Sequence, residues 1–229
     1  MRVTGTGSGG WKVQANTGQS IVKKNIAGLL WTPHDSARNW FCVASSADGT
    51  KLAAVVLTGR IYTSTDSGVT WFPRDSARIW RSVASSADGT NLVAVVSGGQ
   101  IYTSANSGLT WTPRFIARKW WRVASSSDGT RLAVIAVNDY EGQIYSSNDS
   151  GATWELSVTG NMWAGIAMSS DGTKLVATAY GGQIHTASWL GSGATSGLIS
   201  GKQFDAVELQ YVGNNLYTIL SHEGDLFAQ

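Results

Sequence analysis

The chain has 229 residues, only 14% of them charged, and a formal net charge of +2 with basic and acidic residues interspersed. That balance lacks the basic patch of a nucleic-acid binder, and the single cysteine, Cys42, allows neither an intrachain disulfide nor a thiolate metal cluster. With 27 glycines and 11 tryptophans the composition favours short strands and tight turns over amphipathic helices, at a length that suits one closed all-β domain.

In chain order, the first ten residues carry no apolar signal stretch and nowhere do 18 apolar residues run together, so no membrane insertion is expected. Residues 11–15 and 20–22 read as strands, and residues 1–27 as extra N-terminal strands. From residue 28 a period of 40 sets in: Trp40, Trp80 and Trp120 open three copies, and Trp163 a fourth after a short insertion around residues 137–140. Each copy predicts a four-stranded meander. In the first, the strands are 43–46, 52–56, 61–64 and 69–71, with turns at Asp48 and Gly49 and at Asp66 to Gly68. Cys42, beside Trp40, reads as a buried, inert thiol.

A meander of this kind cannot bury both apolar faces alone, so the copies are expected to pack around an axis as propeller blades. The ends carry complementary deficits. Residues 21–31 keep the spacing of 61–71 with no inner strands before them, while Phe204 to Leu216 keeps the interval of Trp80 to Leu92 with no outer strand after it. Pairing of N- and C-terminal strands is therefore expected to close the ring, with residues near 28–33 forming the outermost strand of a mixed blade. Counting Trp40, Trp80, Trp120, Trp163 and Phe204 gives five blades over residues 28–229, with 188–229 the divergent last one. Four or six blades, or a separate small β module at the termini, stay open as alternatives.

Ser64 to Trp71 and Ser147 to Trp154 resemble the Asp-box, or BNR, repeat, with its Ser/Thr-x-Asp-x-Gly-x-Thr-Trp pattern, and Ser104 to Trp111 is similar with Asn106 in the Asp place. The likeness covers roughly residues 28–187. It implies a propeller of the kind shared by sialidases, other glycoside hydrolases, sortilin-type receptors, photosystem assembly factors and propeller lectins; the box marks a fold element and not an activity. Sialidase chemistry would require three arginines for a carboxylate, a Tyr and Glu pair and an acid Asp. Here Arg38, Arg78 and Arg118 occupy one equivalent position in successive copies, and Glu141, Glu155, Glu208 and Glu223 fall in irregular segments, so no catalytic residue is nominated and no enzyme is expected. His34, His185 and His222 show no ligand spacing; neither metal nor cofactor is expected.

What remains is a repeated surface. The outer-to-inner connections and the second turns of each copy share one side, which gathers Asp35, Asp75, Arg38, Arg78, Arg118, Gln100, Gln143 and Gln183 beside Trp40, Trp80, Trp120 and Trp163. These twelve residues are the candidate ligand-binding set, with tryptophan stacking on a sugar and the polar groups bonding its hydroxyls. The competing reading has Asp35 and Asp75 pairing with Arg38 and Arg78 to tie blades together, with the tryptophans buried between them. The expected function is lectin-like glycan binding. The alternative is a scaffold docking to protein, for example in a virion or surface appendage; residues 10–14 and 205–210 weakly resemble small β modules of phage tail proteins.

Overall fold

The computed structural model describes residues 2–6, 10–14, 31–138, 141–189, 199–200, 206–213, 216–223 and 227–228. The chain divides into two compact units, Met1–Pro33 and His34–Gln229. In the first, β1 (Arg2–Thr6) and β2 (Gly10–Gln14) form an antiparallel hairpin.

The second unit holds the repeats. Its strands are β3 (Trp40–Ser45), β4 (Leu52–Ser64), β5 (Phe72–Ser85), β6 (Leu92–Ser104), β7 (Thr112–Ser125), β8 (Leu132–Val137), β9 (Gly142–Ser147), β10 (Glu155–Gly160), β11 (Trp163–Met168), β12 (Lys174–Ala179) and β13 (Ile184–Ser188). Then come β14 (Ile199–Ser200), β15 (Ala206–Gly213), β16 (Leu216–Glu223) and β17 (Phe227–Ala228), with β14 paired to β17 and β15 to β16. All pairings are antiparallel. β3 to β10 follow one another in a continuous eight-stranded ladder, and β11 to β13 form a separate three-stranded sheet.

The long strands serve two neighbours each. The end of β5 pairs with β6 from Trp80 to Ser85, while its beginning pairs with β4 from Phe72 to Ile79. β5 is thus the outer strand of one repeat and the inner strand of the next, and β7 repeats the arrangement 40 residues on. Pro73 and Pro113 sit in these outer stretches, where a missing N–H is tolerated.

Packing explains the apolar runs. Residues 92–96 are buried throughout, because Leu92, Ala94 and Val96 face a cluster shared with Ala53, Val55, Trp80 and Val83, while Val93 and Val95 face the next cluster, with Trp120, Leu132 and Val134. Strand alternation therefore splits one strand between two cores, and the core is a series of contacts between repeats. A third cluster joins Ile135 and Ile144 to Trp163 and Ala177.

A backbone ladder reinforces this stacking. Ala47 N–H donates to the Ala87 carbonyl (2.7 Å), Ala87 to Ser127 (2.7 Å) and Ser127 to Ser170 (2.8 Å), so each first turn is bonded to the equivalent turn of the following repeat.

Among the described residues the sheets do not close into the expected ring: residues 31–33 belong to no strand and Trp31 is 85% exposed. Residues 28–30, also part of that expectation, lie outside the described residues. Val43, at the position of Val83 and Val123 in the next copies, is 71% exposed where these are 4% and 8%. Cys42, expected buried, is half-buried and faces the other way, toward the second repeat, with its sulfur 3.8 Å from Ser82 Oγ.

Candidate functional site

Each Asp-box turn is locked by its own side chains. Ser64 Oγ donates to Asp66 Oδ1 at 2.7 Å, Gly68 N–H donates to Ser64 Oγ at 2.9 Å, and the Thr70 N–H and hydroxyl donate to the two carboxylate oxygens at 2.9 and 2.6 Å. Trp71 Nε1–H closes the turn on the Gly68 carbonyl at 2.9 Å. Ser67 and Gly68 both have positive φ, 58° and 88°. Asp149 is held identically by Ser147 and Thr153, and Asn106 keeps the geometry as an amide.

The Asp-Gly turns repeat this logic. Ser46 Oγ and Thr50 N–H donate to Asp48 at 2.6 and 3.0 Å, with counterparts at Asp88, Asp128 and Asp171. The hydroxyl of Thr70 above all holds Asp66 at about 2, below the ordinary 3.8, and hydrogen bonds led by the neighbouring serine do the same for Asp48, Asp88, Asp128 and Asp171. At Asp149 burial opposes ionisation, and the bonds from Thr153 and Ser147 outweigh it. These six acids are fixed as carboxylates by their turns, the reverse of what a general acid needs.

The opposite edge carries the candidate binding set. Gly59 lies opposite Arg78 and Gly99 opposite Arg118, so the crossovers and second turns do share one side. The Arg38 guanidinium lies 4.5 Å over the Tyr62 ring, Arg78 4.6 Å over Tyr102 and Arg118 5.2 Å over Tyr145, three equivalent stations. Asp35 pairs with Arg38 (3.4 Å) and Asp75 with Arg78 (3.5 Å), the arginine side chains staying 34% and 33% exposed. In the third station Phe115 stands where Asp75 stood, and Arg118 donates instead to Gln143 Oε1 at 3.1 Å, which also accepts from the Tyr145 hydroxyl. Gln100 donates to the Phe115 carbonyl at 3.0 Å, while Gln183 is exposed.

The tryptophans do not belong to an open surface. Trp80 and Trp120 are 0% exposed and Trp163 4%, each wedged against the preceding repeat, and only Trp40, which has no such repeat before it, is 36% exposed. Trp40, Trp80 and Trp120 contact Tyr62, Tyr102 and Tyr145 edge-on, and His185 takes the tyrosine place beside Trp163. The expected stacking of sugar on Trp80, Trp120 and Trp163 is therefore corrected: their ring faces are core.

A second cluster went unnoticed in the sequence. One residue past the opening tryptophan the copies read Phe41, Arg81, Trp121 and Ala164, and the next position reads Cys42, Ser82, Arg122 and Gly165. The signal was the break in the repeat. Arg81 lies 5.2 Å from the Phe41 ring and 4.9 Å from Trp121; Arg122 lies 5.8 and 5.1 Å from the same two rings.

No family model and no curated protein matches the chain. Among solved structures it is similar to the GH74 enzyme of Niastella koreensis (21% identity, TM-score 0.54, 68% of this chain and 23% of that one). It is similar too to YCF48 bound to D1 peptide (18%, 0.51, 72% and 57%) and to a chain of a nidogen/laminin complex (12%, 0.54, 62% and 57%). These neighbours are β-propeller proteins, so the likeness assigns a propeller-type fold. The chain spans well under two thirds of the length of each.

Proposed function

We propose that this chain is a non-catalytic binding propeller whose edge bearing Arg38, Arg78 and Arg118 docks a protein surface. The observation that carries this reading is the state of that edge: its tryptophans are buried and its cations already paired or stacked, while Ile79 and Ile116 in the same crossovers are 43% and 52% exposed. Ordered arginines beside exposed aliphatic side chains suit a protein interface, where preorganised, partly desolvated anchors dominate the binding energy. Two fold neighbours, YCF48 with D1 peptide and the nidogen/laminin chain, engage protein partners on a propeller, which supports the reading. Fixation of the six turn aspartates as carboxylates supports a non-catalytic role, because none is poised to give up a proton near neutrality.

The test is a peptide-display selection on the folded protein, repeated with Ile79→Asp and Ile116→Asp variants whose fold is checked by circular dichroism. Selected peptides should lose binding in both variants. Peptides indifferent to both would refute docking at this edge.

The lectin-like reading is kept for one observation: three equivalent, part-exposed arginines at repeat spacing suit a multivalent glycan, where linked weak sites gain roughly 10² to 10⁴ in avidity. Glycan-array signals partly reduced in Arg78→Ala and abolished when all three arginines are replaced would favour it over protein docking.

A further inference from the structure

Arg81 and Arg122 stand apart from the edge just described, and nothing in the repeat architecture requires them. They come from the inner strands of successive repeats, and the equivalent positions in other copies are filled by Phe41, Cys42, Ser82, Ala164 and Gly165 without loss of the meander. Both guanidinium groups lie within 6 Å of the same two rings, Phe41 and Trp121, so two like charges share one aromatic pair. Among the described residues neither is in an ion pair; the two pairs present use Arg38 and Arg78. Arg81 Nε is buried with no hydrogen-bond partner, and Arg122 makes only long bonds, 3.4 Å each, to the carbonyls of Arg81 and Trp121.

Cation–π contact attracts each guanidinium to the rings but leaves Arg81 Nε–H unused and Arg122 with weak carbonyl bonds alone, and two neighbouring cations repel one another. A carboxylate resolves both: it neutralises the pair and takes parallel N–H bonds in the geometry guanidinium groups favour. Trp121 also forms part of the wall of a mainly apolar groove of about 270 Å³, lined by Val137, Met162, Trp163, Ala164 and Tyr180 together with Asn138, Glu141 and Gly142, so the ligand's body rather than its carboxylate belongs there. One side chain thus joins a cationic pair to an apolar groove.

We propose that Arg81 and Arg122 form a binding site for a carboxylate carried on an apolar body, the carboxylate between the two guanidinium groups and the body in the groove beside Trp121. This site is independent of the docking edge and stands whether or not that edge binds protein.

The probe is 3-phenylpropionate, titrated calorimetrically into the full chain at low ionic strength, with 3-phenylpropionamide, acetate and inorganic phosphate as comparison ligands. Saturable 1:1 binding of the acid is expected, with binding of the amide, acetate and phosphate each at least about tenfold weaker, the scale of one lost charge-assisted bond. Arg81→Gln and Arg122→Gln should each weaken the acid by at least about tenfold, and Arg122→Lys by less, because it keeps the charge but loses the fork. Arg131→Gln, a cation stacked on Trp189 elsewhere, should leave binding unchanged. Should the glutamine variants fail to fold, the arginine Nε–H resonances of the unmodified protein give the second readout: two should shift on adding the acid and none on adding the amide. Equal binding of acid and amide, binding indifferent to Arg81 and Arg122, phosphate matching the acid, or no saturable binding would each overturn the proposal.

Discussion

At the residue scale, the aspartates of this protein are turn locks, and their chemistry predicts how the fold meets acid. Asp48, Asp66, Asp88, Asp128 and Asp171 sit at about 2 in the folded state against an ordinary 3.8. A depressed folded pKa contributes stability that is complete above the unfolded value and is lost as pH falls through the folded one. The melting temperature should hold down to about pH 5 and then drop steeply between about pH 4 and pH 2. Asn106 already shows that an amide satisfies the box, its Oδ1 accepting from Ser104 and Thr110 and its Nδ2 donating to the Thr110 hydroxyl. Asp66→Asn should therefore melt close to the parent while Asp66→Ala melts several degrees lower, measured by thermal denaturation; equal losses would contradict the hydrogen-bond account. Thr58 is the converse case. It holds φ 58° where the next copies have Gly98 at 75° and Gly181 at 67°, a conformation that penalises a β-branched side chain. Thr58→Gly should raise the melting temperature by about 1–3 °C, the gain being limited by greater freedom of the unfolded chain.

At the element scale, the glycine of each Asp-Gly turn answers to two demands that the structure separates. Gly49, Gly89, Gly129 and Gly172 all have φ near 70°, yet a Cβ at Gly49 would meet nothing within 4 Å, whereas at Gly129 it would lie 2.6 Å from Asn91 Cβ. The difference arises because the later turns press against the preceding repeat, where the bonds from Ala47 to Ala87 and from Ala87 to Ser127 draw the backbones together. Gly49→Ala should cost about 1 kcal/mol, from left-handed backbone alone. Gly129→Ala should cost about 1–3 kcal/mol more, since overpacking adds to the same strain. Chemical denaturation of the two variants measures this difference, and equal losses would mean that the turns are not in close contact across repeats.

At the scale of the whole molecule, stability resides between repeats, and the first repeat is where that rule can be tested. Val83 and Val43 occupy the same position 40 residues apart, 4% and 71% exposed. Val83→Ala should cost about 1–3 kcal/mol through lost burial and a residual cavity, while Val43→Ala should stay within about 0.5 kcal/mol. A large loss at Val43 in solution would show that a further element covers this residue and that the ring closes after all.

The period of 40 and the Asp-box turns were legible in the sequence, because they depend on contacts a few residues apart: a serine, an aspartate, a glycine and a threonine inside one turn. The pairing of Asp35 with Arg38 and of Asp75 with Arg78 is local in the same sense. The fourth strand of the meander, expected at 69–71, begins instead at Phe72, because Thr70 and Trp71 bond back to Asp66 and Gly68 and belong to the turn. Ring closure was not legible. Matching spacing at the two ends records a strand pattern and says nothing about whether a partner strand lies beside it, and residues 31–33 pair with none. The fate of the tryptophans likewise needed the tertiary structure, since burial of Trp80, Trp120 and Trp163 is decided by the repeat packed in front of each. So did the meeting of Arg81 and Arg122 with Phe41 and Trp121, which lie in three different repeats and share no local pattern. The sequence by itself determined the turn chemistry and the repeating unit, where the interacting groups are covalent near-neighbours; only the packing of one unit on the next decided which aromatic faces are core and which cations converge.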